Sequence, residues 1–158
     1  MARVEKSIVV EKPIRMVYDQ WTQFEEFPRF MEGVEEVRQL DDKRLHWKAK
    51  IGGKVEEWDS EIVQQIPDQT IAWRHSGGAM NHGVVIFTPL DGERTDVTLA
   101  LDYDPKGFLE KVGDVLGVVS RRVEGDLERF KKFIEERGTE TGAWRGEIRP
   151  GGDTTHPH

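Results

Sequence analysis

The stretch RLHWKAKIGGKVEEWDSEIV (residues 44–63) predicts a β-hairpin and also fixes its register. A two-residue turn at Gly52–Gly53 determines which residues stand opposite each other along the two strands. In that register the indoles of Trp47 and Trp58 meet on one face of the hairpin. Opposite charges meet on the other face, in the pairs Arg44–Glu61, His46–Asp59 and Lys48–Glu57. Two independent criteria therefore select the same register.

The alternation of this hairpin continues into the strands that follow and defines the inward face of a sheet. In the hairpin the inward residues are Trp47, Ala49, Glu56, Trp58, Ser60 and Ile62. In the later strands they are Ile71, Trp73, Gly83, Val85, Phe87, Val97, Leu99, Leu101 and Tyr103. The sequence thus predicts a sheet with one large, apolar and aromatic face.

The rest of the chain divides into one early strand, two short helical segments, further strands and one long helix. Strand-like alternation covers residues 3–11 and the runs at about 34–40, 43–51, 54–66, 70–76, 82–90 and 94–103. Pro13 opens the first short helix, and the second begins at Phe24 and stops near Gly33. From Phe108 to about Arg137 apolar residues recur every three or four positions, which is typical of an amphipathic helix about 45 Å long.

This long helix is the available cover for the apolar sheet face. We therefore expect an α+β fold in which a curved seven-stranded antiparallel sheet wraps around the C-terminal helix. The space between sheet and helix is either closely packed or leaves room for a ligand. Residues 1–137 are predicted to form this domain, and residues 138–158 a polar tail rich in Gly, Thr and Pro. Only Trp144 and Ile148 could anchor that tail.

An aromatic run follows the first strand and holds Tyr18, Trp21, Phe24, Phe27 and Phe30. These residues lie where the two short helical segments must dock against the end of the sheet and the long helix. We expect most of them to be core residues and one or two to close the end of a cavity.

The composition excludes several classes of function. A chain of 158 residues with a formal net charge of −7 is expected to form one domain without the basic face that nucleic acids require. The N-terminus lacks the apolar core of a signal peptide, and no apolar run approaches the length of a membrane span. There is no cysteine, which excludes disulfides and thiolate chemistry. We expect a cytoplasmic protein that is a monomer or a homodimer.

Candidate catalytic groups are few. The sequence has no Gly-x-Ser-x-Gly motif and no phosphate-binding loop. His75 and His82 flank a predicted turn, but two histidines without a third ligand do not make a metal site, so no metal and no cofactor are predicted. Glu56 is the candidate general base because burial beside the tryptophans would raise its pKa. Alternatively, Glu56 lies at the mouth of the cavity and pairs with a nearby cation.

Several short motifs follow one another in an order found in a known superfamily. They are Pro13…Val17-Tyr18, Phe27-Pro28-x-Phe30-Met31, Gly83-x-Val85-x-Phe87-x-Pro89, Thr95-x-Val97, Tyr103-x-Pro105 and Asp126-Leu127…Phe130-Lys131. Together with the predicted order of elements, they resemble the helix-grip fold of the START and Bet v 1 (SRPBCC) superfamily. Within it, the chain looks most like the polyketide cyclase/dehydrase and coenzyme-Q-binding branch. The likeness spans residues 3–137, and this fold hosts many functions.

The resemblance implies that an apolar small molecule is held between the sheet and the long helix. It also implies that an arginine of the strand matching residues 54–63 serves catalysis in the aromatase/cyclases. Trp58 and Ser60 match the family's inward aromatic residue and serine, whereas Ile62 stands at the position of the arginine. This departure weakens the interpretation of the chain as a cyclase.

We therefore expect a protein that binds a quinone-, lipid- or polyketide-like molecule. One alternative is a polyketide cyclase/dehydrase (aromatase) with Glu56 as general base. Another is a regulatory or protein-interaction domain whose cavity is nearly filled. The predicted ligand-binding residues are Trp47, Glu56, Trp58, Ser60, Ile62, Trp73, Val85, Phe87, Leu99, Leu101, Tyr103 and Leu116.

Overall fold

The computed structural model describes residues 2–51, 53–76, 80–103, 115–149 and 154–155. Strand β1 (Ala2–Val10) is followed by helix α1 (Ile14–Trp21) and a 3-10 helix (Phe24–Arg29). Six strands come next, namely β2 (Val34–Gln39), β3 (Arg44–Ile51), β4 (Lys54–Ile66), β5 (Thr70–Ser76), β6 (Met80–Asp91) and β7 (Arg94–Tyr103). The chain continues with the long helix α2 (Val115–Arg137) and two short strands, β8 (Glu147–Ile148) and β9 (Thr154–Thr155). The predicted beginning of the long helix, from Phe108, lies outside the described residues.

The main strands form one antiparallel sheet in the order β1-β7-β6-β5-β4-β3-β2. Since the sheet curls around α2, the α+β helix-grip fold is confirmed. The predicted register of the β3–β4 hairpin is confirmed as well, because Trp47 stands opposite Trp58 and all three charged pairs are in register. Gly53 in the turn has a φ of +83°, a conformation that glycine adopts without strain.

The charged face of this hairpin differs in one detail from the predicted pairing. His46 Nδ1 lies 2.6 Å from Asp59 Oδ1, and His46 Nε2 lies 3.0 Å from Glu57 Oε1, which together raise the pKa of His46. Arg44, however, donates its Nε–H to Asp41 at 2.7 Å rather than to Glu61. Asp41 is close because the preceding turn folds its carboxylate back onto the backbone N–H groups of Lys43 and Arg44.

The two short helical segments begin where the sequence predicts, but the second ends earlier than predicted. The carbonyl of Pro13 accepts the first hydrogen bond of α1, from the N–H of Val17 at 3.1 Å. Pro28 lies within the 3-10 helix, which ends at Arg29, and the turn that follows ends at Gly33, whose φ is +84°. A Cβ at Gly33 would also lie 2.6 Å from a guanidinium nitrogen of Arg122. The positive φ therefore favours glycine there, while the Arg122 side chain could move away from an added Cβ.

The aromatic run is core, as predicted. Tyr18, Trp21, Phe24, Phe27 and Phe30 are each at most 4% exposed. The indole of Trp21 packs edge-on against Phe130 of α2, with ring centroids 4.8 Å apart. Edge-to-face contacts of this kind join the short helical segments to the long helix.

The chain after α2 returns to the body of the domain. Ile148, in β8, stands opposite Gln65 of β4 and is 1% exposed, and Trp144 packs against the core. The two residues predicted to anchor the tail therefore both contact the domain. Among the helices that the structure describes, none is long and apolar enough to cross a membrane.

Candidate functional site

A partly open cavity of about 110 Å³ lies between the inward face of the sheet, the short helical segments and α2. Most of its wall is apolar. The lining residues are Trp21, Phe24, Phe27, Met31, Val34, Leu45, Trp47, Ala49, Trp58, Ile62, Trp73, His75, Leu99, Leu101, Arg122, Val123 and Asp126. A site of this shape and polarity is suited to an apolar molecule.

The β3–β4 hairpin supplies two indoles to the wall. Trp47 and Trp58 lie with their ring centroids 6.0 Å apart and their planes only 6° from parallel. The indole N–H of Trp47 donates to the hydroxyl of Ser60 at 2.8 Å, which fixes the orientation of the ring. The Trp58 Nε1 is buried and has no partner among the described residues. This hairpin therefore presents an aromatic pair whose geometry is held by its own strands.

His75 is an ionisable residue in this apolar wall. It stands opposite Ser60 in the sheet, and its ring contacts both hairpin indoles edge-on, at centroid distances of 6.1 Å from Trp47 and 5.6 Å from Trp58. Its Nδ1 is buried without a partner among the described residues. Burial, with a smaller contribution from the charge of His82, lowers the pKa of His75 to about 4. The imidazole is therefore neutral near pH 7.

Helix α2 adds a carboxyl group and a guanidinium group to the wall. Burial raises the pKa of Asp126 to about 6, against the opposing effects of Arg129 and of the Glu32 N–H, which donates to it at 3.1 Å. Arg122 donates to the carbonyl of Glu32 at 2.7 Å. Arg129 donates to the carbonyl of Phe30 at 3.0 Å, so α2 holds the chain that leaves the 3-10 helix. Asp126 is therefore a group that gains or loses a proton near neutral pH.

The predicted site residues are distributed unevenly. Six of them line the cavity: Trp47, Trp58, Ile62, Trp73, Leu99 and Leu101. Ser60 is engaged behind Trp47, whereas Val85 and Phe87 are buried in the core, with Phe87 against Tyr18. Glu56 lies on the inward face opposite Ala49, is partly buried and does not line the cavity. The side chains of Tyr103 and Leu116 lie outside the described residues.

Sequence reasoning missed the polar residues of the wall. His75 follows Ile71 and Trp73 in the inward alternation of β5, so the strand pattern could have placed it in the cavity. His82, the other histidine beside the predicted turn, lies on the opposite face of the sheet, where its Nε2 is 2.6 Å from a carboxylate oxygen of Asp102. Asp126 lies three residues after Val123 on the apolar stripe of the helix, which was a usable signal too. Among the described residues there is no group of three or more His, Asp or Glu side chains that could hold a metal.

Comparison with known proteins places this geometry in context. Residues 10–132 match the family of polyketide cyclases/dehydrases and lipid transport proteins. An uncharacterized 17.2 kDa protein from the melC2-rnhH intergenic region of Streptomyces lincolnensis is 53% identical over 149 residues, which cover 94% of this chain and 99% of that protein.

Solved structures share the fold. A Deinococcus radiodurans protein is 29% identical with a TM-score of 0.66, over 87% of this chain and 99% of that chain. The Zhui aromatase/cyclase of a Streptomyces species is 20% identical with a TM-score of 0.73, over 90% and 98%. A START superfamily protein of Mycobacterium smegmatis is 16% identical with a TM-score of 0.66, over 85% and 95%. The last two proteins are 20% or less identical to this chain, so the comparison with them shows a shared helix-grip fold and nothing more.

Proposed function

Because the chain belongs to the polyketide cyclase/dehydrase and lipid transport family, we propose that it binds a planar, apolar small molecule between sheet and α2. The observation that carries this proposal is the near-parallel indole pair, Trp47 and Trp58, in the wall of an unfilled cavity. Flat aromatic walls favour flat aromatic partners through stacking and edge contacts. A quinone- or polyketide-like ring system therefore fits better than a flexible lipid chain.

The few polar groups of the wall would orient one end of such a ligand. His75 is neutral, so it can exchange a hydrogen bond with an uncharged hydroxyl or carbonyl group. Asp126 and Arg122 line the same cavity from the side of α2. Ser60, predicted for this role, already accepts the hydrogen bond of Trp47. We therefore assign the orienting role to His75 and the α2 pair.

Filling the cavity tests this proposal. Ala49 lines the cavity and is 2% exposed, so Ala49→Leu would place added carbon atoms in the free volume. We expect the wild type to bind 1,4-naphthoquinone with micromolar affinity and the variant to bind it at least about tenfold more weakly, measured by isothermal titration calorimetry. Ala72→Leu, on the opposite face of β5, is the matched control and should bind normally. Equal affinity in all three proteins would contradict the proposal.

A second candidate function, chemistry on the bound molecule, is favoured by His75 and Asp126 together. Asp126, whose pKa of about 6 leaves it mostly ionised near pH 7, can take a proton from the carbon between two carbonyl groups and return it to a departing hydroxyl, which leaves as water. Neutral His75 can donate its ring N–H to the enolate oxygen that forms in between. Such a pair suits the cyclisation and dehydration of a polyketide-like chain. Turnover of a linear polyketide mimic that disappears in His75→Gln, with binding retained, would establish this function. Unchanged turnover in that variant, or none in the wild type, would reject it.

A further inference from the structure

The segment between α2 and β8 crosses the outer side of α1. Gln20 and Thr141 bond each other twice: the Thr141 N–H donates to Gln20 Oε1 at 2.8 Å, and Gln20 Nε2 donates to Thr141 Oγ1 at 3.1 Å. The N–H of Trp144 donates to Thr22 Oγ1 at 3.1 Å. These contacts leave Gln20 at 0% and Thr22 at 2% exposed. The polar side of α1 therefore faces residues 138–146, which we call the strap.

One arginine of the strap ties two distant parts of the chain together. Arg145 lies 2.5 Å from Asp19 of α1 and 2.8 Å from Asp68 in the turn between β4 and β5. Its guanidinium carbon also lies 5.4 Å from the centre of the Tyr18 ring. The side chain of Asp19 is only 5% exposed, so loss of the arginine would leave a buried carboxylate without its main partner. Arg145 is thus the residue whose removal should release the strap from α1.

The last residue of α1 lines the cavity. Trp21 lies between the strap contacts Gln20 and Thr22 in the chain, and it lines the cavity together with Phe24 and Phe27 of the 3-10 helix. Arg129 of α2 holds the far end of this helical pair through the carbonyl of Phe30. The strap therefore fixes the near end of a cavity wall whose far end is fixed by α2.

The cavity is small for a ligand-binding site. Pockets for drug-sized ligands span about 300–1,000 Å³, whereas this cavity is about 110 Å³. The sheet side is one hydrogen-bonded unit, and among the described walls the helical pair is the one whose residues the strap bonds. We propose that the strap, held by Arg145, sets the size of the ligand that the cavity admits by restraining α1. Selection by size rests on the proposed function, because it needs a ligand. The restraint of α1 by the strap does not depend on that function.

The restraint is tested without any ligand. In Arg145→Met, hydrogen–deuterium exchange at peptides covering α1 and the 3-10 helix should become about tenfold faster than in the wild type, because local opening costs less. Arg149→Met is the matched control, since Arg149 is exposed just after β8 and, among the described residues, bonds Glu147 of that strand. Thr141→Val is a milder second variant that removes the hydroxyl bonded to Gln20. Wild-type exchange in both strap variants would overturn the restraint.

Selection by size is tested with two probes. The wild type should bind two-ring 1,4-naphthoquinone in preference to three-ring 1,4-anthraquinone, and Arg145→Met should reduce that preference about tenfold by admitting the larger probe. Faster exchange with an unchanged ratio of affinities would overturn size selection and leave the restraint standing. If neither probe binds either protein, the proposed function fails and size selection fails with it, whereas the exchange result still decides the restraint.

Discussion

Trp21→Ala should destabilise the protein by about 3–5 kcal/mol, the largest single-residue effect that we expect. The Trp21 side chain is 1% exposed, and its ring contacts four phenylalanines from the 3-10 helix, the segment after it, β6 and α2. Alanine removes these contacts and opens a hole beside an existing cavity, where the surroundings cannot close it. Urea unfolding followed by circular dichroism measures the change in the free energy of unfolding.

Two further variants separate the contributions of the Trp21 ring. Trp21→Phe keeps a ring in place and removes an indole N–H that has no acceptor among the described residues, so it should cost less than about 1.5 kcal/mol. Trp144→Ala is a control for the loss of a partly buried indole at the strap, and it should cost less than Trp21→Ala. A loss below about 1 kcal/mol in Trp21→Ala, with weakened probe binding, would assign the ring to the ligand site instead of the core.

Between pH 7 and pH 4 the free energy of unfolding should fall by about 3 kcal/mol more in the wild type than in His75→Phe. The unfolded chain has an ordinary histidine pKa of 6.5, whereas burial lowers the pKa of His75 in the fold to about 4. Between these values the unfolded state binds the proton and the folded state does not, so stability is lost as the pH falls through this window. Urea unfolding of the wild type and His75→Phe at several pH values measures the difference.

Protonation of Asp126 changes the stability in the opposite direction, so its contribution must be separated from that of His75. Its folded pKa of about 6 lies above the ordinary aspartate pKa of 3.8, so the folded state takes up the proton first and gains stability as the pH falls from 6 towards 4. This contribution is present in both the wild type and His75→Phe, and it cancels in their comparison. His82→Gln removes the smaller charge contribution to His75 but leaves its burial, so this variant should show most of the loss of stability that the wild type shows in acid. Parallel pH profiles for the wild type and His75→Phe would contradict a buried, neutral His75.

Much of the sheet could be predicted because its constraints are local. The turn at Gly52–Gly53 and the alternation of the flanking residues determine the hairpin register, and the indole pair follows from it. The short helical segments were predictable for a similar reason, since Pro13 and Gly33 limit the backbone directly. Burial of the aromatic run followed from its position between the first strand and the hairpin.

The polar part of the site depends on contacts between distant parts of the chain. Asp126 faces the cavity because of the way α2 is rotated against the sheet. The helical pattern alone places Asp126 only at the edge of the apolar stripe and does not determine that rotation. The contacts of Arg145 with Asp19 and Asp68 span 126 residues in one case, and no periodicity predicts them. An inward register position does not say how far along the strand the cavity reaches, and Glu56 is inward without lining the cavity.

The most direct test of ligand binding uses the indole N–H signals of the five tryptophans in ¹H–¹⁵N NMR spectra. Trp21, Trp47, Trp58 and Trp73 line the cavity, whereas Trp144 lies in the strap and serves as an internal control. The chain has no cysteine, which removes the most reactive nucleophile towards 1,4-naphthoquinone, and recovery of the probe unchanged checks that binding is reversible. We predict saturable shifts with micromolar affinity for Trp47, Trp58 and Trp73, no shift for Trp144, and recovery of the probe unchanged. Shifts that never saturate, or that are equal for Trp144 and the cavity tryptophans, would contradict a binding site between the sheet and α2.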